Sequence, residues 1–289
     1  MTSTPALKRD AAALERLRAL IDPQTLRRTK QEVAQDLPAK IEDAQCRTLT
    51  MHSLQRNLYL SEPAKYSQKQ QLEEHQDQRS AGMLGLLHKL KLICAHSYSV
   101  QPDKRLRGHS SKLQWLIKTL MSIEAKGNSD KVILFTELRD IQRELQHVIQ
   151  EHFGFRATVV NGDTSTISES ANSRQRLIDQ FQEQPGFAVI ILSTIAVGFG
   201  VNVQAANHVI HFTRCWNPAK EDQATDRAYR IGQEKDVYVY YPTVRDAEMP
   251  TFEATLDELL SKRSALARDM LTGATDLKAS DFDRLLGTH

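Results

Sequence analysis

Cysteine is scarce in this chain: Cys46, Cys94 and Cys215 are the only three in 289 residues, far apart and without Cys-x-x-Cys spacing. A disulfide framework and a cysteine-built zinc site are thereby excluded, and a reduced compartment fits. Long apolar runs are lacking too, with none approaching the roughly 18 residues that a bilayer span needs. The opening MTSTPALKRDAAALERLRAL mixes charges and has no apolar core of the signal-peptide kind. Charge of one sign is also missing: 38 basic residues face 36 acidic ones, so the +2 total neither demands nor excludes nucleic acid. No G-x-G-x-x-G follows the first strand-like run of the repeating region, which argues against a Rossmann dinucleotide enzyme. The expectation is a cytoplasmic, bacterial globular protein of one or two domains, with no membrane partner.

What is present falls into two styles. From Ala6 to about Ala95 the pattern is mostly helical, as in ALERLRALI and GMLGLLHKLKLI, whose apolar residues recur every three or four positions. Within it, Ile41 to Met51 alternates loosely and reads as a strand, and the Gln-rich Ser53 to Gln78 reads as an exposed helix or helix pair. Pro102 to Ser111 carries turn residues and marks a boundary. KLQWLIKTLMSI then reads as a helix with Ser110 or Ser111 available to cap it. Short apolar runs follow at Val132–Phe135, Ala157–Val160, Ala188–Leu192, His208–Phe212 and Val237–Tyr241, most of them separated by amphipathic stretches. Continuous apolar runs alternating with helices predict an α/β fold, a parallel sheet with helices on both faces. In such sheets ligands sit beyond the carboxyl ends of the strands. After Pro250 a long helical pattern is expected to pack back on the N-terminal helices.

The most informative string is QATDRAYRIGQ, Gln223 to Gln233, just after an Asn217-Pro218 pair suited to opening a helix. If that helix continues, Arg227 and Arg230 share one face. Two fork-shaped permanent cations on one face suit a polyphosphate whose charge spreads during phosphoryl transfer. Most such pairs are instead solvated or salt-bridged, here to Asp222 or Asp226.

Taken whole, the string resembles motif VI of the Swi/Snf-type DNA-translocating ATPases of helicase superfamily two. Further blocks resemble that family in order, over about Leu26 to Leu271: LRRTKQEVAQDLPAKIE the segment joining two motor lobes, HKLKLICAHSYSV a helical stretch ending in Cys-x-His, KVILFTE motif IV, VVNGDTS the next strand and loop, and LSTIAVGFGVNVQAANHVIHF motif V with its continuation. The resemblance implies a RecA-like second motor lobe preceded by a family-specific helical region. It divides the chain into residues 1–25, a helical lead-in; 26–108, the helical joining region; 109–250, the RecA-like lobe; and 251–289, C-terminal helices.

By the same resemblance Arg227 and Arg230 are arginine fingers reaching ATP on a first lobe, with Gln223, Gly198 and Gly200 contacting nucleotide. Thr136, Asn161, Gly162, Ser193, Thr194 and Trp216 are implied contacts to double-stranded DNA, through its backbone and groove side. Hydroxyls and free N–H groups at strand ends are ordinary phosphate-positioning donors, and also ordinary turn caps. The basic group Lys89, Lys91, Arg105 and Arg107 is of the kind usually solvated.

Two absences refine this. No Gly-Lys-Ser or Gly-Lys-Thr phosphate loop and no DE-x-H or DE-x-D box occurs; DELL, Asp257 to Leu260, sits inside a helical pattern. ATP and Mg²⁺ are therefore expected to be held mainly by the first lobe, and this chain alone is expected to be inactive. Motif V also departs from the family, with Ile195 in place of the usual cation and Val197 in place of a glycine. Those departures favour an alternative, a DNA- or protein-binding module without turnover; the complete motif VI string favours the motor.

Overall fold

The computed structural model describes residues 37–70, 76–103, 106, 108–165, 173–194, 201–270, 277–278 and 281–282. The lead-in 1–25, most of the joining string, Arg105, Arg107, and Ile195, Val197, Gly198 and Gly200 of motif V lie outside them.

Six strands form one wholly parallel sheet: β1 (Lys40–Asp43), β3 (Lys131–Phe135), β4 (Thr158–Val160), β5 (Ala188–Leu192), β6 (His208–His211) and β7 (Val237–Tyr240), in the order β1-β7-β6-β3-β5-β4. Every residue of β3, β5 and β6 is buried. Because side chains alternate along a strand, Ile133 and Phe135 of β3 join Ala188, Ile190 and Leu192 of β5 in one core, while Val132, Leu134, Val189 and Ile191 join another on the opposite face. The second core is closed by α3 (Ser111–Ala125) and α4 (Arg139–Phe153), through Leu116, Leu120, Leu145 and Ile149. The first is closed by α5 (Arg174–Glu183), through Ile178 and Phe181, and by Ala224, Ala228 and Tyr229. Helices thus cover both faces, and this explains why the strands read as unbroken apolar runs.

A third core lies beside the sheet. It joins α1 (Ser53–Gln70), α2 (Gln76–His96) and α7 (Phe252–Met270) through Tyr59, Leu86, Leu87, Leu90, Phe252, Leu256 and Leu260. Helix α7 therefore packs against α2. Two short strands, β2 (Leu49–Thr50) and β8 (Val244–Arg245), pair in parallel at this junction.

The stretch read as a strand, Ile41 to Met51, falls on two: β1 lies against β7 as an edge strand of the main sheet, Ile41 opposite Tyr238, and β2 covers Leu49–Thr50. One local expectation is corrected. Ser110 and Ser111 do not cap α3 with their side chains. The Ser110 hydroxyl donates to the Ala95 carbonyl, and Ser111 Oγ donates to Thr50 O at 2.6 Å and accepts from His52 N. Both hydroxyls fasten α3 to neighbouring segments, a use that competes with capping.

Candidate functional site

The site is built where β3, β5 and β6 end side by side. Thr136, just past β3, donates its N–H to Leu192 O at 3.0 Å, and its hydroxyl accepts from Thr213 Oγ1 at 2.8 Å and from Leu138 N. Gln142 of α4 donates to Thr136 O at 2.8 Å and accepts from Asn161 Nδ2 at 2.8 Å, bridging the ends of β3 and β4. Asn161 closes its own turn by accepting from Asp163 N and donating through N–H to Thr164 Oγ1, with Gly162 between. Ser193 and Thr194, past β5, both turn to one carboxylate: Glu137 accepts from Ser193 Oγ at 2.6 Å, from Thr194 N at 2.6 Å and from Thr194 Oγ1. Thus the sequence-chosen hydroxyls converge at one edge of the sheet, where each already has a partner within the fold. Trp216 is placed differently. Its ring centroid lies 5.2 Å from that of Phe282 and 6.2 Å from that of Phe252, against the third core.

After β6 the chain turns into α6 (Pro218–Thr225). Asn217 Oδ1 caps it by accepting from Ala219 N at 2.9 Å, and Pro218 takes the first position, where no N–H is required. Gln223 is exposed on this helix. The helix ends before the arginines, so they do not share a helical face. Arg227 O accepts from Val203 N at 3.0 Å, and Gly232 adopts φ +96°, where any Cβ would also sit 3.3 Å from Gln204 Nε2. These non-helical partners divert the chain into successive turns from Asp226 to Gly232. Arg227 is half-buried, and its Nε is enclosed with no hydrogen-bond partner among the described residues. Arg230 is exposed and donates through Nη1 to Asn202 Oδ1.

Buried charge braces this corner from beneath. Arg214, 6% exposed, donates through Nε and Nη2 to Glu221 at 2.7 to 3.0 Å and through Nη1 to Asp257 of α7, with its guanidinium 4.3 Å from the Tyr241 ring centroid. Burial alone would raise the Glu221 carboxyl, but the Arg214 charge and hydrogen bonds outweigh it and hold it below the usual range. Glu221 also accepts from Cys215 N at 2.8 Å, locking α6 to the end of β6. Lys91 and Lys112 donate to the carbonyls of Arg214 and Phe212, each at 2.9 Å. Burial pushes the Lys91 ammonium below its ordinary pKa. Lys91 is therefore a brace inside the fold rather than part of a basic surface.

The sequence reading missed Glu137, Gln142, Arg214, Glu221 and Lys112. The available signal was a charge placed at the edge of an apolar run, as in HVIHFTR and SSKLQWLI. Such placements are costly unless paired.

Two buried histidines set a pH response. His211 bonds Thr225 Oγ1 at 2.8 Å, and His208 lies between Tyr240 Oη and Asp130. Burial depresses both to about 4 from 6.5, although Asp130 partly offsets the effect at His208. Between those values the unfolded chain binds protons that the folded one does not. Stability is then full above pH 6.5 and falls as pH drops toward 4. Melting curves should show a lower Tm at pH 5 than at pH 7. Equal values would mean that the histidines are not held neutral.

The six-stranded parallel sheet, covered on both faces and carrying its polar residues beyond the strands' carboxyl ends, defines a RecA-like motor lobe. Residues 111–232 match the helicase conserved C-terminal domain and residues 1–99 the SNF2-related domain. The chain belongs to the Snf2-type motors of helicase superfamily two. It is 66% identical over 278 residues to the Zorya protein ZorD of Escherichia coli O139:H28 (strain E24377A / ETEC), an overlap of 96% of this chain and 26% of that protein. YwqA of Bacillus subtilis (strain 168), which carries the name of an ATP-dependent helicase/translocase, is 34% identical over 285 residues, 96% of this chain and 29% of that protein. The solved Sulfolobus solfataricus SWI2/SNF2 ATPase core in complex with dsDNA superposes with a TM-score of 0.63 at 28% identity, over 95% of this chain and 54% of that one. The chain thus spans less than a third of either curated relative. No helix among the described residues is long and apolar enough to cross a membrane.

Proposed function

We infer that this chain is the second lobe of an ATP-dependent double-stranded DNA translocase, supplying Arg227 and Arg230 to ATP held with Mg²⁺ by a first lobe. The observation that carries the reading is the state of the two guanidinium groups. A buried donor without a partner costs free energy, and native folds rarely leave one without a reason. Arg227 Nε is such a donor, and a phosphate oxygen is the acceptor that a guanidinium matches best. Arg230 stands at the surface beside it. Ile231 follows at 68% exposure, the most exposed large apolar side chain among the described residues. An exposed apolar residue directly after two such cations suits a turn that faces another domain.

Gln223, with Gly198 and Gly200 from motif V, completes the nucleotide side of this reading. Thr136, Asn161, Gly162, Ser193 and Thr194 line the proposed DNA edge, where contact is with the phosphate backbone and reads no base sequence. Trp216 contributes by shaping the corner rather than by stacking on a base. Since Ile195 brings no cation, this lobe grips DNA weakly and without sequence preference.

The competing reading, a module that holds DNA or protein without turnover, rests on the motif V departures. Phosphate release by the full-length protein separates the two. The motor reading expects release that rises with added duplex DNA. A full-length protein that binds DNA but releases no phosphate would establish the other.

A further inference from the structure

The motif VI turn is laced to the chain that follows motif V, and the Gln233 side chain makes more of the connections than any other side chain. Gln233 is 7% exposed. Its Nε2 donates to Gln204 O at 2.9 Å, Ala206 O at 3.0 Å and Ala228 O at 3.2 Å, while its Oε1 accepts from Glu234 N and Lys235 N, each at 3.0 Å. An amide nitrogen has two hydrogens, so one of the three donations is shared. The side chain is fully satisfied, and none of its partners is another side chain. It is therefore indifferent to which residues flank it and specific for how three backbone segments lie. Around it, Gln204 Nε2 donates to Ile231 O at 2.8 Å, Val203 N to Arg227 O at 3.0 Å, and Arg230 to Asn202 Oδ1. Each arginine thus lies in a turn tied to residues 202–206, and Gln233 closes the turn at its far end.

We propose that Gln233 is a positioning residue for Arg227 and Arg230. It touches no ligand. Its amide fixes the returning end of the Arg227–Gly232 turn on the Val203–Ala206 chain, so that both guanidinium groups are oriented before nucleotide arrives. Without it the turn keeps its sequence and charge but loses its anchor. Orientation is what such a loss costs, and a misplacement of about 1 Å can lower a rate by ~10²-fold. The inference rests on the arginine-finger reading of the chain.

The test is a double-mutant cycle in the full-length protein, read as ATP turnover at saturating duplex DNA with KM and DNA affinity measured alongside. Gln233→Ala should lower kcat by ~10- to 100-fold while KM and DNA affinity stay within about two-fold. Added to the combined Arg227→Ala and Arg230→Ala variant, it should cost less than about two-fold more, because its effect passes through the arginines. A merely structural role would instead lower kcat by the same factor in both backgrounds, and that result overturns the proposal, as does an unchanged kcat. If Gln233→Ala melts below the assay temperature, Gln204→Ala removes one bond of the same lacing, and its unchanged kcat would overturn the proposal equally. Should Arg230→Ala itself turn over normally, the arginine reading fails. Should Arg230→Ala be slow and Gln233→Ala fast, only the positioning role fails.

Discussion

In a full-length protein carrying both lobes, Arg230→Ala is expected to lower ATP turnover by ~10³-fold or more, the range in which an arginine finger acts. Nucleotide affinity should change little, because the finger meets charge that develops only in the transition state. Arg227→Ala should lose turnover similarly, and its effect has a second component. Removing the guanidinium also removes the enclosed donor at Nε, so the variant should melt no lower than the parent, which allows a direct comparison of the two. Paired measurements of kcat and of nucleotide affinity on both variants check this. If both kept near-parental kcat, the arginines would be structural, and motif VI would carry no finger.

The second large effect is on stability. Arg214 holds Glu221 through three contacts and Asp257 through one, and both carboxylates are buried. Asp257 keeps Arg47 and Arg245 as partners, whereas Glu221 has Arg214 alone among the ion pairs of the described residues. Arg214→Ala therefore strands a buried charge, a change that costs ~3–5 kcal/mol. In a chain of this size that corresponds to a fall in Tm of about 10 °C. Arg214→Met combined with Glu221→Leu should recover most of the loss, because a buried pair replaced by apolar groups is often neutral. Thermal melts of the two variants decide the matter. A single variant as stable as the parent would show that water reaches Glu221 and that the brace is dispensable.

Much of the fold was legible for one physical reason. Strands buried on both faces must be apolar at every position, so VILF and AVIIL announced β3 and β5 almost to the residue. β1 was harder. KIED lies at the sheet edge with its two central residues exposed, so it carries little pattern, and it takes its place from backbone pairing with β7. The start of α6 was readable because Asn217 and Pro218 act locally. Its end was not. The chain leaves the helix at Thr225 through bonds to Val203 and Gln204, more than twenty residues away, which no local spacing records. The same limit applies to the hydroxyls. Thr136, Ser193 and Thr194 were correctly placed at strand ends, but their partners Thr213 and Glu137 come from other strands. Glu137 looked like the last letter of a motif, and only the side-by-side endings of β3 and β5 make it a clamp.

The most direct measurement of the central claim is phosphate release by the isolated 289-residue chain, given ATP, Mg²⁺ and duplex DNA. The sequence has no Gly-Lys-Ser or Gly-Lys-Thr to cradle phosphates, and the arginines are assigned to a nucleotide that another lobe holds. Release should therefore stay at background with or without DNA, while the full-length protein under the same conditions turns over. DNA-stimulated release by the chain alone, at the rate of the full-length protein, would mean that it holds its own phosphate site, and it would contradict the account.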